Sequence, residues 1–486
     1  MASTFHGLEV GKRGLYAQQT ALSVTGHNIA NANTTGYTRQ RAEMQASKAI
    51  PSPGMHNDQS PAQLGTGVEV SKIVRLREEY LDVQIRGESK NLGYWEAKTN
   101  TFTRIEELLN EPSDSGLAAT MDEFWKGWEE LSKNPDSAAA RAVVRQRGVA
   151  VAETFQHISN TLDQIQGDLK NVIKTKESEI NSLSSQIASL NKQISSLVPN
   201  NYQPNDLYDQ RDVLIDRLSK LVNVNVTPAA NGMVNVSAGN GVLVSGQTPA
   251  KLTIGYDPAT GLVDPDEIKI DDQKVSFASG ELLGHIEAYG LKGSEASSII
   301  PSLKGKMNEL AAAFTNQINS IHQSGYNLNN INGSSQVRVP FFTGSTAADI
   351  EVHGDIIDSL NMIAAGKEET AGTSSTGNGQ NAQEIANAKF AGLTFGSANS
   401  TADDFYRNII GQLGIDSNEA QRMKDNSEVI IQQVENRRQS VSGVSLDEEM
   451  ANMIKFQQAY NAAARYVTVM DQLLDKVING MGRVGL

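Results

Sequence analysis

The chain has 486 residues and a net charge of −14, and its length favours about three domains. Its 39% hydrophobic residues are enough for folded cores, although this share is on the low side. Cysteine is absent, so disulfides, zinc–thiolate sites and thiol nucleophiles are excluded. The acidic balance argues against nucleic-acid binding, because that affinity comes from neutralising phosphates with Lys and Arg. No stretch approaches the roughly 20 apolar residues of a membrane span, and the first residues lack the apolar core of a signal peptide. We therefore expect neither membrane insertion nor signal cleavage.

The N-terminal segment is predicted to form a helix from Thr4 to Asn33. One stripe of this helix repeats every seven residues and consists of Leu8, Leu15, Leu22 and Ile29. The span also contains four glycines, each costing about 1 kcal/mol relative to alanine in a helix; they are Gly7, Gly11, Gly14 and Gly26. Since glycine has no side chain, we expect other backbones to approach this helix closely.

A long helical pattern begins after Pro135 and reaches Leu197. Its apolar stripe alternates steps of three and four, with two adjoining steps of four across Lys176. The stripe consists of Leu162, Ile165, Leu169, Val172, Ile180, Leu183, Ile187, Leu190, Ile194 and Leu197. The favoured interpretation is core packing against a neighbouring helix, and a free-standing homomeric coiled coil is the alternative.

The remaining middle of the chain combines a linker, a further helix and short strands. Residues 46–66 are rich in Ser, Pro, Gly and Gln, as in a linker or extended arm. Residues 207–221 form an amphipathic helical pattern. Alternating valines and isoleucines between 222 and 289 predict several short strands. Helical patterns return near 295–324 and 402–440.

The last helix has the clearest signals. Ser445 and Glu448 have the spacing of a capping box at its start. An apolar, heptad-like face follows, with Leu446, Met450, Met453, Tyr460, Val467 and Leu474. A coiled-coil pairing of this helix with the first one is therefore predicted.

These patterns predict a mainly α fold with an inserted β domain, in the α+β class. We expect a terminal coiled-coil domain from residues 1–60 with 441–486. A helical bundle would comprise residues 61–221 with 290–440, and a small outer β domain residues 222–289.

No catalytic constellation is found. The seven histidines are scattered, and none has a second ligand at a recognised metal spacing. The acidic segment 264–272 lacks the glycine and terminal glutamate of an EF-hand loop. We therefore predict no catalytic residue, no cofactor and no metal.

The two ends of the chain predict assembly. The apolar stripes are small compared with the conformational entropy lost on ordering two long helices. We therefore expect the termini to be mobile in a monomer and to order when neighbouring copies cover their other faces. The predicted assembly interface is Leu8, Leu15, Leu22, Ile29, Leu446, Met450, Met453, Tyr460, Val467 and Leu474.

Two terminal motifs resemble those of bacterial flagellar axial proteins, the family of rod, hook and hook-associated subunits. The first is GHNIANANTTGYTRQ at 26–40, and the second is SGVSLDEEMANMIKFQQAYNAAARYVTVMDQLLDKVING at 442–480. Within this family, the ending GYTRQ and the segment LYDQRDVLIDRLSKLVNVNV at 207–226 are similar to hook-associated proteins of the first hook–filament junction layer.

The resemblance implies a structural subunit in a ring-like layer between hook and filament, with the terminal helices lining the inner tube and the β domain facing outward. It implies copies of the same chain, the hook protein and the second junction protein as partners, and an export chaperone on the C-terminal helix. It also implies an extracellular location after flagellar type III export. The alternatives are a hook or distal rod subunit, an enzyme such as a wall hydrolase on a flagellar scaffold, and a secreted adhesin.

Overall fold

The computed structural model describes residues 5–50, 64–114, 116–333, 337–370, 372–396 and 398–480. The helices are α1 (His6–Ala30), α2 (Glu79–Leu109), α3 (Leu117–Lys133), α4 (Ala138–Leu197), α5 (Asn205–Leu221), α6 (Glu281–Tyr289), α7 (Ile299–Ser324), α8 (Leu328–Ile331), α9 (Gly354–Asp358), α10 (Gln380–Asn387), α11 (Ala402–Ser442) and α12 (Leu446–Gly480). The strands are β1 (Gln40–Ala46), β2 (Val68–Arg75), β3 (Val224–Pro228), β4 (Val234–Ala238), β5 (Gly241–Ser245), β6 (Thr248–Pro249), β7 (Leu252–Tyr256), β8 (Val263–Ile270), β9 (Gln273–Lys274), β10 (Phe342–Thr343), β11 (Glu351–Val352), β12 (Leu393–Phe395) and β13 (Ala398–Ser400).

Long helices and small antiparallel sheets confirm the predicted α+β class. The predicted start of the first helix at Thr4 lies outside the described residues, as does most of the predicted linker. Within the described ranges, no helix carries an apolar stretch long enough to cross a bilayer.

The chain divides into two compact units, each made of separate stretches of sequence. The first unit is Met1–Ser89, Ile180–Lys251 and Glu428–Leu486, and the second is Lys90–Glu179 and Leu252–Ser427. This division does not follow the three predicted domains.

The β segment at 222–289 differs most from its prediction. Its strands hydrogen-bond in two sheets, β3–β4–β5–β6 in the first unit and β7–β8–β9 in the second. The segment also ends in helix α6 rather than in a strand. Alternating residues identify short strands, but they do not specify which strands share backbone hydrogen bonds.

In the first unit, α1 packs on an antiparallel hairpin formed by β1 and β2. Gln40 pairs with Arg75 at one end of the hairpin and Ala46 with Val68 at the other. The register shifts between Glu43 and Met44, and β1 has no regular alternation of buried and exposed side chains. This irregularity explains why the sequence pattern gives no strand signal for β1.

A row of aspartates on α5 anchors the first unit. Asp209, Asp212 and Asp216 lie three and four residues apart, so they share one face of the helix. Arg75, at the end of β2, donates from Nη1 to a carboxylate oxygen of Asp209 and of Asp212, each at 2.8 Å. Arg86 of α2 donates from Nε to Asp216 at 2.7 Å. The row therefore ties α5 to both the hairpin and α2.

Two further arginines complete this charged cluster. Arg77 lies 2.6 Å from Asp82 and 3.1 Å from Asp212, while Arg438 of α11 lies 2.8 Å from Asp216. Burial alone would raise the pKa of Asp212, but the guanidinium groups of Arg77 and the other arginines hold that pKa below its usual value. Asp212 is therefore an ionised, largely buried carboxylate, with its side chain 15% exposed, whose charge is matched by its arginine neighbours.

The second unit has an aromatic core between α3 and α7. Its closely packed rings are Phe124, Trp125, Trp128, Phe314, Phe341 and Phe342, with neighbouring centroids 4.8–6.1 Å apart. Such edge-on and tilted pairs are favoured by the ring quadrupoles in addition to the apolar area they bury.

His322 of α7 lies fully inside this aromatic cluster and joins two loops. Its Nδ1 lies 2.8 Å from the Val339 carbonyl oxygen, and the Ala364 amide donates to its Nε2 at 2.9 Å. Both bonds are satisfied by a neutral imidazole that donates from Nδ1 and accepts at Nε2. Burial lowers the pKa of His322 to about 4.

The apolar stripe of α4 is buried within a single chain, as the core-packing interpretation predicts. Leu162, Ile180 and Ile194 are inaccessible to solvent. Ile173, rather than the predicted Val172, occupies the stripe between Leu169 and Ile180. The two adjoining steps of four therefore run from Ile165 to Leu169 and from Leu169 to Ile173. The predicted position of these steps, across Lys176, was wrong.

Replacing Asp212 by Asn should lower the free energy of unfolding of the first unit by roughly 3–5 kcal/mol, because three largely buried guanidinium groups lose a shared carboxylate. Urea unfolding followed by circular dichroism measures this loss. The control Glu43→Gln removes a partly exposed carboxylate that pairs with Arg41 and Lys72, and should cost less than about 1 kcal/mol. Equal effects of the two changes would contradict the role given to Asp212.

The second unit should lose stability as the pH falls from about 6.5 to about 4. The pKa of His322 is lower in the folded state, so the stabilisation is complete above the unfolded value and disappears as the folded pKa is approached. The His322 contribution is on the order of 3 kcal/mol. Trp95, Trp125 and Trp128 all lie in this unit, so urea unfolding followed by tryptophan fluorescence reports it.

The His322→Gln variant should have a shallower pH dependence over this range, because its side chain cannot take up the proton. The exposed His157 provides the control, and His157→Gln should keep the parental slope. A parental slope in His322→Gln would disprove the assignment.

Candidate assembly site

Helices α1 and α12 form a closely packed antiparallel pair, as predicted for the two ends of the chain. Gly7 near the start of α1 faces Met470 near the end of α12, and Gly14 faces Ala463. At the opposite end of the pair, Asn28 hydrogen-bonds Glu449.

The glycines of α1 set how closely the two helices approach. A Cβ atom on Gly11 would lie 2.7 Å from Cγ2 of Val467, and one on Gly14 would lie 3.6 Å from the Cβ of Ala463. At Gly7, the space for a Cβ is occupied by the Met470 side chain. The expected close approach is confirmed for Gly7, Gly11 and Gly14, but nothing lies within 4 Å of the place where a Cβ on Gly26 would be.

On α12, part of the predicted face lies toward α1. The inward stripe alternates steps of three and four and consists of Met453, Phe456, Tyr460, Ala463, Val467, Met470 and Leu474. Leu474 is 8% exposed, and Met453, Tyr460 and Val467 are half-buried.

Leu446 and Met450 do not lie in the seam between the helices. They are 51% and 58% exposed, respectively. Leu446 begins α12 where the antiparallel partner helix has already ended. One turn further along, the inward position belongs to Glu449, which is 2% exposed. The apolar pattern of the sequence therefore places Met450 in the seam, whereas the structure places Glu449 there.

On α1, the seam consists of small and polar residues rather than leucines. The positions at alternating steps of four and three are Gly7, Gly11, Gly14, Gln18, Ala21, Thr25 and Asn28. Leu8, Leu15, Leu22 and Ile29 each lie one residue beyond a seam position and are half-buried. The predicted leucine stripe is therefore present, but it flanks the pair instead of filling it.

The pair leaves further apolar side chains in solvent. On α12 these are Leu446, Met450, Ile454, Tyr466, Val469, Leu473, Val477 and Ile478, each at least 43% exposed. Phe5, just before α1, and Tyr16 on α1 are 55% and 60% exposed. A concentration of exposed apolar residues on one helix is typical of a binding surface.

The loop after α1 is organised around the side chain of Asn28, which is 1% exposed. Its Oδ1 accepts from the Gln40 amide at 3.0 Å and from the Tyr37 hydroxyl at 2.8 Å. Its Nδ2 donates to the Gln40 carbonyl at 2.8 Å and to Glu449 Oε2 at 3.0 Å. All the hydrogen-bonding capacity of this amide is therefore used.

Arg39 ties the same loop to the first turn of α12. Its guanidinium lies 2.7 Å from an oxygen of Glu448 and 2.7 Å from an oxygen of Glu449. The Ser445 hydroxyl accepts from the Glu448 amide at 3.5 Å, while the Glu448 carboxylate contacts Arg39. Ser445 thus supplies its half of the predicted capping box, while the Glu448 side chain binds the N-terminal loop.

The loop is also bound to α5. The Thr38 amide donates to Asp209 Oδ2 at 2.9 Å, and the Gln40 side chain donates to Asp206 Oδ1 at the same distance. Burial, with the nearby charges of Asp206 and Asp209, raises the pKa of Tyr37, so this phenol stays protonated and donates to Asn28. Gly36, at φ +79°, lies over Val213 of α5, where a side chain would collide.

The acidic side chains around the helix pair and α5 are engaged in contacts between elements of the fold. Within the part of the chain that the structure describes, no group of three or more His, Asp or Glu residues is placed to hold a metal ion. The buried carboxylates of Asp209 and Glu449, and the partly buried carboxylate of Asp212, are each engaged by a guanidinium. None of these three carboxylates is predicted as a site residue from the sequence, although the spacing of the α5 aspartates is a visible signal.

Comparisons with known proteins match the ends and the middle of the chain separately. Residues 102–337 match the flagellar hook-associated protein FlgK helical domain. Residues 436–480 match the flagellar basal body rod FlgEFG protein C-terminal family, and residues 8–38 match the flagella basal body rod protein family. The two rod-type matches cover α1 with its loop and α12.

Full-length relatives are similar over nearly the whole chain. Flagellar hook-associated protein 1 of Bacillus subtilis is 39% identical, covering 99% of both chains. The protein of the same name in Escherichia coli is 27% identical, covering 96% of this chain and 98% of its own length.

A solved structure shares the fold. It is described as the flagellar hook junction protein FlgK from Burkholderia pseudomallei, with a TM-score of 0.59 and 13% identity, and covers 75% of this chain and 100% of its own. The terminal motifs, the matched helical domain and the full-length similarity together lead to one conclusion: the chain belongs to the flagellar hook-associated protein 1 family.

Proposed function

We propose that this chain is a structural subunit of the bacterial flagellum that forms the junction layer between hook and filament by self-assembly through α1 and α12. The similarity to hook-associated protein 1 along the full length supports this role over that of a hook or distal rod subunit. The rod-type matches at the two ends are expected for any member of the axial group, so they do not separate these candidates.

The observation that carries this proposal is the uncovered apolar surface of the terminal pair. Val469 and Leu473 on α12 are each 52% exposed, and the leucine stripe of α1 is only half-buried. Covering such side chains on association would contribute about 25 cal/mol per Å² of apolar surface removed from water. The ten residues of the predicted interface, including the exposed Leu446 and Met450, remain candidates for contacts between copies.

The proposed partners follow from this location. Copies of the same chain would cover the flanks of α1 and α12, and the hook protein and second junction protein would bound the layer on its two sides. Before assembly, an export chaperone would shield the exposed apolar residues of α12. Export through the flagellar type III channel would then place the subunit outside the cell.

We also propose that the role is structural rather than enzymatic. The charged clusters of the first unit are closed ion pairs between elements of the fold, which leaves their carboxylates engaged in holding α5, the hairpin and α12 in place.

Complementation tests the proposed function. In a bacterium that lacks its own hook-associated protein 1, expression of this chain should restore filament attachment to hooks, scored by electron microscopy and by swimming in soft agar. Complementation of a hook-deficient strain instead, with no rescue of the junction-deficient one, would favour the hook alternative.

Charging the outer face of α12 should block incorporation. The double variant Val469→Asp with Leu473→Asp replaces two exposed apolar side chains by carboxylates. We expect at least tenfold less protein at hook tips, because association would bury these charges and burying a charge is costly. The matched control Gln472→Asp adds a charge to an exposed polar position on the same turn. Normal filament attachment in the double variant would exclude this face from the interface.

A further inference from the structure

Glu449 occupies a place in the helix pair that an apolar residue would ordinarily fill. It lies four residues before Met453, in step with the inward stripe of α12, and is 2% exposed. Its neighbour Glu448 has a side chain that is 63% exposed. Two adjacent carboxylates on one helix turn therefore have different environments, although both contact Arg39.

One oxygen of Glu449 is used by the N-terminal loop and the other by the last turn of α1. Oε1 accepts from Arg39 Nε at 2.8 Å, and Oε2 accepts from Asn28 Nδ2 at 3.0 Å. Asn28 cannot turn its amide around without losing its bonds from Tyr37 and Gln40, which require the oxygen where it is. The carboxylate of Glu449 is thus the acceptor that completes a buried network.

We propose that Glu449 is a positioning residue that couples the seating of α12 to the closure of the loop at 31–40. When α12 is absent from its place, Asn28 loses the acceptor for one of its two amide hydrogens, and Arg39 loses its buried carboxylate partner. The closed loop then lacks two of the polar contacts that hold it, so closure is favoured once α12 has docked. The N-terminal motif and the C-terminal helix then become ordered together.

The coupling extends to α5, because the closed loop presents the Thr38 amide to Asp209 and the Gln40 side chain to Asp206. Docking of the C-terminal helix is thereby transmitted to the charged row on α5. This inference goes beyond the proposed function, since it concerns contacts within one chain and holds whether or not copies assemble.

A staple between the terminal helices isolates this coupling from assembly. The chain has no cysteine, and a Cβ on Gly14 would lie 3.6 Å from the Cβ of Ala463, a separation suited to a disulfide. The full-length variant Gly14→Cys with Ala463→Cys, oxidised as a monomer, would hold α12 on α1. The loop is then observed with the helix pair held in place.

Hydrogen exchange of the stapled monomer, measured by mass spectrometry on peptides covering 37–42, is the test. Adding Glu449→Gln should speed exchange of the Gln40 amide about tenfold or more. The glutamine side chain has one acceptor oxygen, whereas Asn28 and Arg39 each donate to a separate oxygen of Glu449. The matched control Glu448→Gln, an exposed partner of the same arginine, should change that rate less than twofold.

Two outcomes would overturn the proposal. Unchanged protection of Gln40 in Glu449→Gln would show that the loop closes without this carboxylate. Accelerated exchange across the β3–β4 ladder as well would show that Glu449 supports the whole unit rather than the loop. Neither outcome bears on whether copies assemble through α1 and α12, which the outer-face variant of α12 tests separately.

Discussion

The close approach of α1 and α12 through a seam of small residues is the constraint on which the rest depends. Glycines at positions 7, 11 and 14 let the backbones come together, but they contribute almost no apolar area of their own. The larger side chains, including the leucine stripe of α1, consequently lie on the flanks. A pair built in this way is thin and leaves its apolar surface available to neighbours. We therefore regard the pair as one part of a larger core that several copies would complete.

Polar contacts fix the position of this pair on the rest of the first unit. Asn28, Arg39 and Glu449 define which turn of α12 meets the end of α1, because each has bonds that a shifted register would break. The aspartate row of α5 fixes the loop from the other side. Buried ion pairs contribute little net stability compared with apolar packing, but breaking one is expensive. We infer that these contacts mainly fix the register between α1 and α12 and contribute less to the free energy of unfolding.

Periodicity in the sequence predicts most of the helices, including α1, α4, α5 and α12, because long amphipathic patterns are strong signals. It fails where polar or small residues take inward positions. On α12, Glu449 lies in the seam where the pattern predicts Met450. On α1, the pattern predicts leucines in the seam, but glycines and other small or polar residues lie there instead. The sequence pattern predicts a single β domain at 222–289, although the structure has two sheets there, because the pattern of a short strand does not specify the strand with which it pairs. The row of Asp209, Asp212 and Asp216 has a spacing that could have been noticed, but its arginine partners lie far away in sequence.

The most direct test of the central claim is hydrogen exchange of α1 and α12 in two states of the unmodified chain. In dilute monomer we predict fast exchange across 6–30 and 446–480, and in protein assembled on hooks we predict strong protection of the same amides. Slow exchange of both helices in the dilute monomer would contradict the account, because the pair would then be stable without neighbours.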